Sequence, residues 1–138
     1  MPEEPPGAEE IRVRFPVDDE ELSRLHAEAF DHEFELTPWS ERLARHSRSW
    51  AGAFVRGRLV GFVHAVWDGG KHAFLLDTAV APDMGRRGVG GRVVAALTED
   101  LRGSGVEWLH VDYEPHLEGF YRRACGFGPT RAGLLRLR

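Results

Sequence analysis

Residues 74–92 read FLLDTAVAPDMGRRGVGGR, and the nature of the loop in this stretch decides the fold. An apolar run ends at Pro82, and the ten residues 83–92 then hold four glycines and three arginines. A strand, a glycine-rich turn and a helix start together form an anion site, because unpaired backbone N–H groups converge there and the helix dipole favours negative charge. Two familiar phosphate loops fail on spacing. A Walker A loop begun at Gly85 reaches Gly90 but then needs Lys and Ser/Thr, where the chain has Gly91 and Arg92. A dinucleotide fingerprint begun at Gly88 and Gly90 needs a small residue at 93, occupied by Val93. On local sequence alone, a tight strand-to-helix turn with solvated arginines stays open as an alternative.

Outward from this loop, periodicity supplies the neighbouring elements. Residues 72–80 make a strand apolar enough to be central. Val89, Val93, Val94, Leu97 and Leu101 fall on one side of a following helix that stops near Gly103. Residues 106–113 predict another strand, and 115–127, opened by Pro115 and closed by Gly126, a last helix with Leu117, Phe120, Tyr121 and Ala124 at helical spacing. GLLRL at 133–137 predicts a final strand. Upstream, IRVRFP (11–16) alternates as a short strand, and DDEELSRLHAEAF (18–30) is helical with acids at its positive end. ERLARHSRSW (41–50) predicts a second helix, and AGAFV with RLVGFVHAVW a hairpin around Arg56 and Gly57. The order β-α-α-β-β-β-α-β-α-β describes an α/β domain on a mixed, largely antiparallel sheet flanked by helices.

The chain has 138 residues, which suits one domain over 11–138 after an acidic, Pro-rich tail at 1–10 expected to be disordered. Its net charge of −4 argues against duplex nucleic acid as a partner. No run approaches the roughly 20 apolar residues of a membrane span, and the N-terminus lacks the pattern of a secretory signal. A soluble, cytoplasmic protein is expected. One cysteine, Cys125, precludes an intrachain disulfide, and the seven histidines show no metal-ligand spacing.

TAVAPDMGRRGVGGR (78–92) resembles the acetyl-CoA motif of the GCN5-related N-acetyltransferase (GNAT) family, a strand ending Ala-Val-x-Pro, then Gln/Arg-x-x-Gly-x-Gly/Ala, then a helix. EGFYRRACGFGP (118–129) resembles that family's C-terminal Phe-Tyr-x-x-x-Gly-Phe segment. The two occur in order, with a helix and a strand between them. Together with the hairpin around LVGFV they cover residues 54–127. The resemblance implies a GNAT fold and acetyl transfer from acetyl-CoA to a primary amine by direct attack on the thioester, in a ternary complex without a metal. A non-catalytic acetyl-CoA-binding sensor or interaction module is the alternative, and an ester product a third outcome.

Residue by residue, the resemblance implies that the backbone of Arg86, Arg87, Gly88, Val89, Gly90 and Gly91 cradles the diphosphate. The family's usual Gln/Arg at the loop start is Gly85 here, so a side chain from Arg86 or Arg87 would have to supply that contact. The pantetheine arm would lie along Thr78, Ala79 and Val80, in a splay between this strand and the next, with an N–H near Val80 facing the thioester carbonyl. Tyr121 occupies the general-acid position. Asp77, Asp112 and Glu114 are candidates for the base that frees the amine, with His110 or His116 as relays; Glu114 stands where many relatives carry Asn. DHEFELTPWS (31–40) would cover the acceptor side, with Asp31, Glu33 and Glu35 attracting a cation and Phe34 and Trp39 forming a wall, or with the two aromatics in the core. Cys125 reads as core packing, not as an acetyl carrier. Acceptor identity and oligomeric state, a homodimer included, stay open.

Overall fold

The computed structural model describes residues 9–138. Residues 1–8 of the expected tail lie outside the described residues, and Glu10 already opens the first strand. The elements are β1 (Glu10–Val13), α1 (Asp19–Phe30), α2 (Trp39–His46), β2 (Ser47–Val55), β3 (Arg58–Trp67), β4 (His72–Val80), α3 (Val89–Leu101) and β5 (Trp108–His110). The strands form one sheet in sequence order. All neighbours are antiparallel except β4 and β5, which run parallel.

Local chemistry starts and stops these elements where the sequence asks. Asp18 caps α1, its Oδ1 accepting from the Glu21 N–H at 3.0 Å, and Asp19, Glu20 and Glu21 sit in the first turn. Arg56 and Gly57, at φ 50° and 80°, take the two left-handed positions of the β2–β3 hairpin. The core fills both faces of the sheet. Phe62 and His64 of β3 pack against Trp39 of α2 on one face. On the other, a Cβ at Gly61 would come within 2.6 Å of Val89 Cγ1, so this glycine is what lets α3 lie close to β3.

Three expectations need correcting. The second helix ends at His46, and residues 47–50 belong to β2: Trp50 pairs with His64, and its Nε1 donates to Phe15 O at 2.9 Å. Partners across the sheet outweighed a helical period that local sequence allowed. The segment 115–127 is not an α-helix but a 3-10 turn at Pro115–Leu117 followed by a π-helical turn at Phe120–Ala124. Finally, residues 128–138 form no strand. β5 is three residues long and pairs through β4 alone, so the alternating GLLRL finds no ladder, and Leu134, Leu135 and Leu137 remain exposed.

Candidate active site

β4 carries a bulge at its centre. Phe62 pairs with Ala79 and His64 with Leu76, so Val63 alone stands opposite both Asp77 and Thr78. Asp77 takes φ 57°, a left-handed conformation unusual for a non-glycine residue. The extra residue aims the Asp77 carboxylate at two imidazoles. Its Oδ2 accepts from His64 Nε2 at 2.6 Å and its Oδ1 from His26 Nε2 at 3.0 Å. Burial pushes this carboxyl up, but the bonds and charges of His64 and His26 outweigh it and hold it at about 2. Asp77 is therefore an anion at any ordinary pH.

The chain of contacts continues in both directions. His64, fully buried, meets Ser47 Oγ through Nδ1 at 2.8 Å. His26 Nδ1 lies 2.7 Å from His32 Nε2, and His32 Nδ1 lies 2.7 Å from Glu33 O. His26, His32 and Asp77 line a cavity of about 200 Å³, together with Ser23, Glu35, Thr37, Trp39 and Arg42. The segment 31–40 does border this space, with Trp39 buried and Phe34 exposed.

On the other side of the bulge stands Tyr121. Its hydroxyl donates to Thr78 Oγ1 at 3.2 Å, and its ring stacks on Tyr113 at 5.2 Å between centroids. Burial raises this phenol above its ordinary value, with the Thr78 bond opposing, so it is a protonated donor at neutral pH. β4 and β5 pair only from His72–Trp108 to Phe74–His110, and beyond that register Tyr121 reaches Thr78 from the far side of the opening. Cys125 is half-buried, and burial pushes its thiol up to about 11, which keeps it from acting as a nucleophile.

After β4, a 3-10 turn at Pro82–Met84 leads into the glycine loop. Arg58 pins this turn with two bonds to Asp83, at 3.1 and 2.9 Å. Arg86 and Gly88 take φ 62° and 76°. Gly88 is the N-cap of α3 and offers no side-chain acceptor. The first-turn N–H groups of Val89, Gly90 and Gly91 thus have no intrahelical partner, the condition an anion satisfies. A Cβ at Gly91 would meet nothing within 4 Å, whereas one at Gly90 would lie 3.2 Å from the Phe120 ring. Arg86 and Arg87 are exposed beside this opening. Arg92 braces the loop from behind, donating to Arg87 O at 2.6 Å and to the Glu9 carboxylate. These residues fit a diphosphate bound by backbone amides with one or two guanidinium groups.

Of the sequence-derived candidates, the bulge brings together Asp77, Thr78 and Tyr121. Ala79 and Val80 continue β4 into the loop. Asp112 and Glu114 are exposed. Asp112 lines a separate cavity of about 820 Å³ with His72 and His110, and Glu114 opens the Pro115 turn through its backbone carbonyl. His110 sits 2.7 Å from His72 and stacks on Phe74. Sequence reasoning missed His26, His32 and His64. They come from α1, the loop after it and β3, and no spacing relates them to Asp77.

The sheet thus opens beside a bulged strand that is followed directly by an amide-lined loop at a helix start. The acetyltransferase (GNAT) family model matches residues 14–127, and the chain belongs to that family. It is 36% identical over 111 residues to serotonin N-acetyltransferase 2, chloroplastic, of Oryza sativa subsp. japonica; the match covers 80% of this chain and 49% of the rice protein. The chain thus spans about half the length of that relative. Among solved structures it resembles an acetyltransferase of Trypanosoma brucei (TM-score 0.79, 20% identity, 95% of this chain and 99% of that one). It also resembles the aminoglycoside N-acetyltransferase AAC(6')-Iy in complex with CoA (TM-score 0.74, 20% identity, 95% of each chain). At those identities the likeness to solved structures is one of fold. No helix of the described residues is long and apolar enough to cross a membrane.

Proposed function

We propose that the protein is an acetyl-CoA-dependent N-acetyltransferase that moves an acetyl group to a primary amine by direct attack on the thioester. The observation that carries this reading is the β4 bulge, where adjacent residues serve two opposite needs: Thr78 holds the proton-bearing Tyr121, and Asp77 faces the cavity under 31–40 with a fixed negative charge. The glycine loop lies just downstream, and its amides and arginines supply the grip on the diphosphate.

In this reading the open side of β4 offers main-chain groups to the pantetheine arm, and an N–H near Val80 stabilises the oxyanion, worth roughly 3 kcal/mol per donor. Tyr121 gives its proton to the departing thiolate. Asp77 holds the acceptor's ammonium by charge. A covalent acetyl-enzyme is unnecessary, in keeping with the protonated Cys125 thiol.

The test is thiol release from acetyl-CoA with a panel of amines. Serotonin heads the panel because of the rice relative's name, followed by an aminoglycoside, polyamines, amino acids and peptides, with mass spectrometry of the product. Turnover yielding an amide supports the proposal. Acetyl-CoA binding without turnover on any acceptor replaces it with the sensor module, and an ester product replaces the amine with a hydroxyl.

A further inference from the structure

His26 and His32 meet at 2.7 Å, and the outer nitrogen of each is committed. Asp77 is ionised and accepts only, so His26 Nε2 must carry hydrogen. The Glu33 carbonyl accepts only, so His32 Nδ1 must carry hydrogen as well. The bond between the rings, His26 Nδ1 to His32 Nε2, needs one more. Three protons on two imidazoles leave the pair with a single positive charge, whichever ring bears it. With one proton fewer, one of the three contacts must open.

We propose that His26 and His32 hold one proton jointly, and that in its neutral form this pair is the base that takes the acceptor amine's proton, with Asp77 as the fixed anion stabilising the result. The inference rests on the acetyltransferase reading for its catalytic half. The pair and Asp77 border the same cavity, and His32 is exposed, which gives the proton a way out to water. Asp77 itself is too weak a base to do this.

The protons balance. The bound ammonium breaks one N–H bond, the hydrogen joins an imidazole nitrogen of the pair, and the freed lone pair attacks the thioester carbon. As the C–S bond breaks, Tyr121 gives its proton to the sulfur and is restored by the second N–H proton of the amine nitrogen. Afterwards the pair loses its proton through His32, so each amide formed releases one proton to solvent.

Other charged and titratable groups face this pair. His64 from β3 shares Asp77. Arg42 of α2 and Glu35 of the loop line the cavity. Arg24 and Glu28 of α1 and Asp31 after it surround the solvent side of His32.

The experiment has two arms, and the first needs no substrate. In the free protein labelled with ¹⁵N-histidine, NMR titration should show both rings changing together with one midpoint, in a single one-proton step; His32→Gln, a change at an exposed site, should move the His26 midpoint. Separate midpoints, or a His26 titration indifferent to His32→Gln, overturn the shared proton. In the second arm, kcat/KM for serotonin, or for the panel's best amine, should rise tenfold per pH unit below that same midpoint and then level. His32→Gln should displace this profile and lower its plateau roughly 10- to 100-fold, while acetyl-CoA binding stays within about twofold. An unchanged profile overturns the catalytic role. Absence of turnover with every amine overturns the acetyltransferase reading and that role together, and the NMR arm still decides the shared proton.

Discussion

Asp77 Oδ2 accepts a 2.6 Å hydrogen bond from His64 Nε2, a side chain with no exposed surface, and so ties the bulge of β4 to the centre of β3. This bond and its partner from His26 keep Asp77 ionised down to about pH 2 from an ordinary 3.8. Because the folded value is depressed, the stabilisation is complete above about pH 4 and disappears as pH falls toward 2, a contribution of about 2 kcal/mol. Acid unfolding followed by circular dichroism should show that Asp77→Asn lacks this component between pH 4 and 2. Identical pH dependence in the two proteins would remove Asp77 from the acid transition.

Tyr121→Phe keeps the ring stacked on Tyr113 and removes only the proton and the bond to Thr78. Under the proposed function kcat should fall about 10²-fold or more, with acetyl-CoA Kd within about twofold by calorimetry. Undiminished turnover would mean that water protonates the sulfur.

At the glycine loop, Gly90→Val should raise the acetyl-CoA Kd at least tenfold. The new side chain must displace the Phe120 ring, 3.2 Å from where its Cβ would stand, and it crowds the first turn of α3 where the amides are needed. A titration giving the wild-type Kd would show that the diphosphate sits elsewhere.

Gly61→Ala tests packing alone. Its methyl would press on Val89 Cγ1 at 2.6 Å and on Ala53 Cβ at 3.3 Å, and overpacking of this kind costs roughly 1–3 kcal/mol. Thermal melts should show a Tm lower by several degrees. An unchanged Tm would mean that α3 shifts freely on the sheet.

Trp39 is buried, and its Nε1 has no hydrogen-bond partner among the described residues. Trp39→Phe removes that orphaned donor while keeping an aromatic ring against Phe62 and His64. The lost packing and the relieved N–H should nearly cancel, leaving urea-unfolding stability within about 1 kcal/mol. A loss above about 3 kcal/mol would show that the donor is satisfied.

The sequence by itself determined what depends on near neighbours: the capped first helix, the hairpin at Arg56 and Gly57, the apolar β4 leading into an anion-accepting loop, and the two motifs that carry the family. Each rests on periodicity or on a backbone requirement expressed within about a dozen residues. Tertiary structure alone decided whether a segment found a partner. Residues 47–50 became strand because β3 lay alongside them, and GLLRL did not because the short β5 offered no ladder. The same holds at the site. Thr78 and Tyr121, 43 positions apart, meet at 3.2 Å, and Asp77 meets His26 across 51 positions and His64 across 13. A bulge supplied the extra residue that turned the carboxylate toward them. Side-chain chemistry is written in the chain, but a proton's path depends on angles and distances that exist only once the sheet and helices have packed.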